Sequence, residues 1–404
     1  MATPLADTLR HSFEDLLLGP PQFDATANLP NMVVYPVFPS HLAPDPPDVV
    51  SLTQAMRRGV RLSDTGIVTQ VHIDNPLPSA VLVGESDILV GPTQLRAVQF
   101  SCLVPPGRRA SIPVNCVEAG QPTVYQAAFT DTAACPWYLR AFKLEQLSRH
   151  GDNHQHRIWD RIKEYLNHTG TVSSTQDVCA VFDQFGDDVG DLSRVFPLQP
   201  GQVGCVSAVG QDLFIEIFGD PEMLEERYDQ VLHSALVEAI AHPTREITPT
   251  SQVDGVLAEL IDASRSSKVV HSRSLRDSGR TQVFTKGAIA GSGLVTEGRL
   301  VHLTAHKRCW GYGRAFTEQL PELEQQRAQR ATQHADLFAQ LDDDYARRRK
   351  RYRSFLRKLS PSRTTTDEPY VDTIDEDDSV DDLASEPMPL SGGLHEFFLR
   401  LFRR

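Results

Sequence analysis

Four polar side chains stand where β-like segments of this chain begin or end, and their types could grip a charged, hydroxyl-bearing ligand. Glu85 follows the apolar run Val81-Leu-Val83 and Gly84. Gln94 and Arg96 lie two apart, so an extended backbone puts them on one face, and Glu118 closes a further strand that starts at Ala110. Two carboxylates, an amide and a guanidinium meeting at one sheet end could hold a ribose diol and a phosphate, or a metal-bound water. The same four residues also fit a buried Arg–Glu pair whose glutamine satisfies backbone groups, an arrangement that orders irregular β structure without binding anything. Cys116, beside Glu118, is a secondary candidate: it is either a nucleophile or plain core, the commoner fate of a strand cysteine.

Other motifs point less far. His150, His154 and His156 with Asp152 form a histidine-rich stretch, but no remote ligand set accompanies them, so a solvated loop is expected and no metal site. Gly287-Ala-Ile-Ala-Gly-Ser-Gly293 lacks the spacing of a dinucleotide loop and reads as a strand turn. No G-x-S-x-G, H-E-x-x-H or Walker A pattern occurs. The motifs therefore specify neither a reaction nor a cofactor.

The elements that must position the four are mostly β. Leu5, Leu9, Phe13, Leu16 and Leu17 have helical spacing and stop at Gly19-Pro20-Pro21. Met32–Phe38 reads as a strand, and Ser51 with Gln54 as the capping box of a short helix that ends at Gly59. Strands are expected over 67–73, 79–83, 95–104 and 110–117, with Pro105-Pro106-Gly107 as a turn. Residues 135–196 look largely helical. A hairpin, 203–209 and 213–218, precedes a helix capped by Asp220, whose apolar face from Leu224 to Ala239 should pack on the sheet. After a helix around 253–263, closing strands fall at 281–284, 288–295 and 300–304. The fold class is α+β, a β-rich core with packed helices followed by a long C-terminal helix and a disordered tail. The expected organisation is an N-terminal helical extension over 1–30, the core over 31–311, a long helix with a basic end over 312–360, an acidic disordered linker over 361–392, and an amphipathic segment over 393–404.

The stretch from Val81 to Arg96, with Ser111 to Glu118, resembles a bacterial and archaeal family, the ARG and rhodanese-phosphatase-superfamily-associated protein domain. That family has Gly-Glu after a strand, a Gly-x-x-Gln-x-Arg step and a later Cys-Val-Glu. Here these are Gly84-Glu85, Gly91 to Arg96, and Cys116-Val117-Glu118. Weaker likeness runs from Tyr35-Pro-Val-Phe38 to His302-Leu-Thr304. One departure is Ala119-Gly120-Gln121-Pro122, where the family continues with a glycine, an arginine and a tryptophan. The family's association with ADP-ribosylglycohydrolase and phosphatase domains implies ligand binding or processing near ADP-ribose or NAD-derived nucleotides, in the setting of prokaryotic conflict systems. Glu85, Gln94, Arg96 and Glu118 would then be the ligand contacts, and a nucleotide-like small molecule the partner.

Bulk composition sets the rivals. The 404 residues are 40% hydrophobic and 23% charged, ordinary for a globular chain, and the net charge of −13 argues against specific nucleic-acid recognition. The six cysteines show no paired spacing, and no secretory or membrane-spanning segment is legible, so a cytoplasmic location is expected. Arg347 to Lys358 is basic; it could meet anionic lipid or nucleic acid, or pair with the acidic linker after it. Leu394, Phe397, Phe398, Leu401 and Phe402 line one helical face beside Arg400, Arg403 and Arg404. That segment could dock on a protein partner, on a membrane surface or on this chain's own core. A non-catalytic interaction platform using these two features is the first alternative function. A metal-assisted hydrolase using the same carboxylates is the second.

Overall fold

Short apolar runs punctuated by glycine and proline cannot build long helices here, and most of them pair as strands. The computed structural model describes residues 14–24, 29–40, 48–150, 155–241, 253–270, 275 and 278–308, all within the unit Met1–Ser360. The first elements are β1 (Leu16–Leu18), β2 (Gln22–Phe23), β3 (Met32–Pro39), β4 (Val49–Ser51) and α1 (Leu52–Arg57). Next come β5 (Arg61–Asp64), β6 (Gln70–Asn75), β7 (Ala80–Val83), β8 (Asp87–Val90) and β9 (Arg96–Val98). They are followed by β10 (Cys102–Val104), β11 (Arg108–Cys116), β12 (Ala128–Phe129) and β13 (Asp131–Ala134). Three helices, α2 (Trp137–His150), α3 (Gln155–His168) and α4 (Ala180–Ser193), lead to the hairpin β14 (Gly204–Val209) and β15 (Asp212–Phe218). Helices α5 (Pro221–Ala241) and α6 (Val256–Ser264) precede β16 (Lys268–Val270), β17 (Arg280–Lys286), β18 (Ile289–Thr296) and β19 (Arg299–Lys307).

These form an α+β fold with three sheets. Nine strands run β1-β3-β14-β15-β19-β18-β17-β16, with β2 also on β3; three run β10-β7-β4; seven run β12-β5-β6-β11-β9-β8-β13. The nine-stranded sheet is covered on both faces, which is why β15 is buried throughout. Phe214 and Phe218 point to the layer that holds Trp137, Leu224 and Val231. Leu213, Ile215 and Ile217 point the other way, to Val256 and Leu260 of α6. A third core, with Leu62, Val71, Ile73, Val81 and Ile112, lies under the smaller sheets.

Most expected elements are present, including the Ser51 cap, whose hydroxyl accepts from Gln54 N–H, and Gly59 at φ +106°. Two differ. Leu16–Leu18 is a strand rather than helix end, because pairing with Val37–Pro39 gives it ladder bonds while Leu16 and Leu18 pack on the α6 side of the sheet. The strand expected over 95–104 is two strands in different sheets: β9 pairs with β8 and β11, and β10 pairs with β7. No helix among the described residues is long and apolar enough to cross a membrane. Most of the helical extension, the long basic helix, the acidic linker and the segment carrying Leu394 to Phe402 lie outside the described residues.

Candidate functional site

Glu85 sits in the tight turn between β7 and β8, fully buried. Its carboxylate accepts from Arg140 Nε and Lys143 Nζ, each at 3.0 Å, and its N–H donates to Ser101 Oγ at 2.9 Å. Arg140 spans onward: Nη1 donates to Glu216 at 2.7 Å and Nη2 to Thr304 Oγ1 at 2.9 Å. Glu216 meets His302 Nε2 at 3.1 Å, and His302 Nδ1 lies 2.7 Å from Ser101 Oγ. Ser101, His302, Glu216, Arg140 and Glu85 therefore close a ring, in which α2 ties the turn of the small sheets to the nine-stranded sheet. Arg227 of α5 grips the same turn through Ser86 and Asp87; a Cβ on Gly84 would stand 3.0 Å from its Nη2 and 3.2 Å from Asp87 Oδ2, so a larger residue there would press on this ion pair.

Burial works against ionising Glu85 and Glu216, yet cations win at both. Lys143 and Arg140 hold the Glu85 carboxyl below the usual range, while Arg140 and His302 do the same for Glu216. Ser101, His302 and Glu216 have the residue types of a hydrolytic triad. Each is 1% exposed, however, and Ser101 Oγ is already an acceptor for Glu85, so the trio acts as a structural tie.

The pairing of β9 with β11 sets Arg96 opposite Cys116 and so brings Gln94, Arg96, Cys116 and Glu118 into one neighbourhood. Arg96 donates to Gln94 Oε1 at 2.7 Å and to Asp64 Oδ2 at 3.3 Å. Glu118 accepts from Leu95 N–H at 3.2 Å and from Thr175 Oγ1 at 2.8 Å. The Cys116 backbone exchanges two bonds with the Gln155 amide, and burial pushes the thiol up, away from nucleophilic use. Glu85 belongs to the other network. All four expected ligand contacts are buried, and none lines the open groove described next.

That groove, of about 1070 Å³, lies on the outer face of the seven-stranded sheet. Its floor is two cross-strand rows, Arg61–Asp74–Arg109 and Ser63–His72–Ser111, contributed by β5, β6 and β11. The alternating Leu62, Ile73 and Ala110 turn inward to the core, which is what aims the polar rows outward. Arg57 of α1 stands at one side and Gln126 to Thr132 at the other. Arg109 donates to Asp74 at 3.0 Å, and Ser111 Oγ lies 3.1 Å from His72 Nδ1. Arg57 and Arg61 are exposed and have no ion-pair partner among the described residues. No group of three His, Cys, Asp or Glu among the described residues comes together as a metal site.

Sequence reasoning missed Arg140, Lys143, Glu216, His302, Asp64 and the groove. A signal existed for some: Glu216 is the lone charge in Leu213-Phe-Ile-Glu-Ile-Phe218, and His302, Thr304 and His306 alternate through an apolar strand. The polar alternation Gln70, His72, Asp74 likewise marks an outward face.

Compared with known proteins, residues 21–306 match the family model of the ARG and Rhodanese-Phosphatase-superfamily-associated Protein domain. Neither curated proteins nor solved structures return a match.

Proposed function

The chain belongs to the ARG and rhodanese-phosphatase-superfamily-associated protein domain family, and from that premise we propose that it is a ligand-binding domain for a phosphate-bearing small molecule of the ADP-ribose or nucleotide kind, held in the groove on the outer sheet face. The observation that carries this is the pair of exposed arginines, Arg57 and Arg61, facing a groove of ligand size without carboxylate partners among the described residues. A guanidinium offers phosphate a forked pair of donors. Arg109 adds a third cation, tethered by Asp74, and the hydroxyls of Ser63 and Ser111 with the His72 ring supply polar contacts for ribose.

Glu85, Gln94, Arg96 and Glu118 are buried and line no part of the groove, so the ligand contacts proposed here are the groove residues instead. The five described cysteines are free thiols, which supports a reducing, cytoplasmic compartment. The interaction-platform alternative rests on residues 347–358 and 393–404, outside the described residues.

Isothermal titration with ADP-ribose tests the reading. Wild type should bind, and Arg61→Ala should weaken binding roughly tenfold or more, the worth of one charge-assisted contact at about 1.5–3 kcal/mol. Full affinity in an Arg57→Ala/Arg61→Ala double variant would sink it.

A further inference from the structure

The groove's far wall is carried by a loop with unusual backbone. Gln126, a groove residue, holds φ +61°, a left-handed conformation that side chains of its size rarely adopt, and its neighbour Tyr125 is 69% exposed. Such a conformation persists only where the surroundings fix it. Here they do so through Asp64. Its backbone oxygen accepts from Gln126 N–H at 2.9 Å, and its N–H donates to Ala127 O at 2.9 Å. Its carboxylate accepts from Gly66 N–H at 2.8 Å and Thr93 Oγ1 at 2.7 Å. Thr93 Oγ1 in turn accepts from Val124 N–H at 2.9 Å, and Arg96, braced by Gln94, closes on Asp64 from behind. The Tyr125 ring rests 3.6 Å from where a Gly66 Cβ would be, with Ile67 exposed nearby in sequence.

We propose that Asp64, Thr93 and Arg96 form a positioning latch that holds the 124–127 loop in its strained shape, presenting Tyr125 beside the groove as a stacking platform for a planar ring on the bound anion. This deepens the reading of the groove and rests on it: arginines take the phosphate, and the tyrosine face takes a base. A tyrosine face exposed beside a bound base gains stacking worth about tenfold in affinity or more. The latch gives both residues a place: Gln94, just before β9, accepts from Arg96, and Arg96 closes on Asp64.

The test compares ADP with inorganic pyrophosphate as titrants, alongside amide hydrogen exchange. Tyr125→Ala should weaken ADP about tenfold and leave pyrophosphate unchanged, and Tyr125→Phe should retain ADP binding. Thr93→Val keeps the shape but removes both hydroxyl bonds. It should reproduce the same split and speed exchange at Val124 and Gln126 while the β6 and β11 amides stay protected. Equal effects of Tyr125→Ala on both titrants, or none on either, overturn the stacking platform and leave the groove standing. Unchanged exchange in Thr93→Val overturns the latch whatever the ligands do. Failure of both ADP and pyrophosphate to bind wild type removes the groove reading, and the platform with it.

Discussion

Arg140 offers the sharpest test of how this core holds together, because one guanidinium neutralises two carboxylates with no solvent contact. Its bonds to Glu85 and Glu216 are 3.0 and 2.7 Å, and all three side chains are 0–1% exposed. At an effective dielectric of about 20 each contact is worth roughly 5 kcal/mol, so about 10 kcal/mol gross is set against the several kcal/mol needed to strip water from the guanidinium. Arg140→Met keeps much of the volume over Trp137, whose ring lies 3.8 Å from the guanidinium carbon, but leaves Glu216 with His302 alone. The expected cost is about 3–5 kcal/mol in urea unfolding followed by circular dichroism. The pH dependence carries a definite sign. In wild type both carboxyls sit below the ordinary 4.5, so their contribution is intact above that value and is lost as pH falls through the folded values. Without Arg140, burial dominates at Glu216 and raises it, so its penalty at about pH 7 is relieved on protonation and the gap to wild type narrows toward about pH 5. Adding Glu216→Gln should recover at least about 1 kcal/mol. A single-variant loss under about 1 kcal/mol, or a gap that stays constant with pH, refutes the account of the ring as an ion-paired tie.

Two buried histidines should make the wild type acid-sensitive before its carboxylates titrate. Burial lowers His233 to about 4 and His306 to about 3, so the unfolded chain binds their protons first. Stability is full above the ordinary 6.5 and falls below it by up to about 1.4 kcal/mol per pH unit for each, and His306→Gln should flatten part of that slope in urea titrations. Cys102, Cys135 and Cys205, pushed up to about 12 by burial, should resist iodoacetamide at about pH 8 in the folded protein and label fully in urea, as read by mass spectrometry. Gly219→Ala would place its Cβ 2.0 Å from Leu300 O, against a backbone that already accepts no shift without breaking Gly219 N–H to Val301 O. A loss of at least about 1–3 kcal/mol by thermal unfolding is expected, and an unchanged midpoint would contradict the close strand approach.

What the sequence determined by itself was local. Alternation marked β6, apolar runs marked β3 and, around the turn at Gly210, the β14–β15 hairpin, Ser51 and Asp220 marked helix starts, and the Gly84-Glu85 and Cys116-Val117-Glu118 motifs pointed to the family. These are legible because periodicity and caps depend on neighbours a few residues away. Tertiary structure alone decided which polar groups meet. Ser101 bonds His302 across 201 residues, Arg140 bonds Glu85 across 55, and no spacing rule reaches that far. It likewise decided that Glu85 and Arg96, both in the family motif, serve separate networks: Glu85 sits where the chain passes from the three-stranded to the seven-stranded sheet and meets α2, whereas Arg96 lies on β9 against β11. Whether a polar strand face meets water or another layer is fixed only when the sheets stack, and that stacking buried the motif residues and left the Arg57 and Arg61 face open.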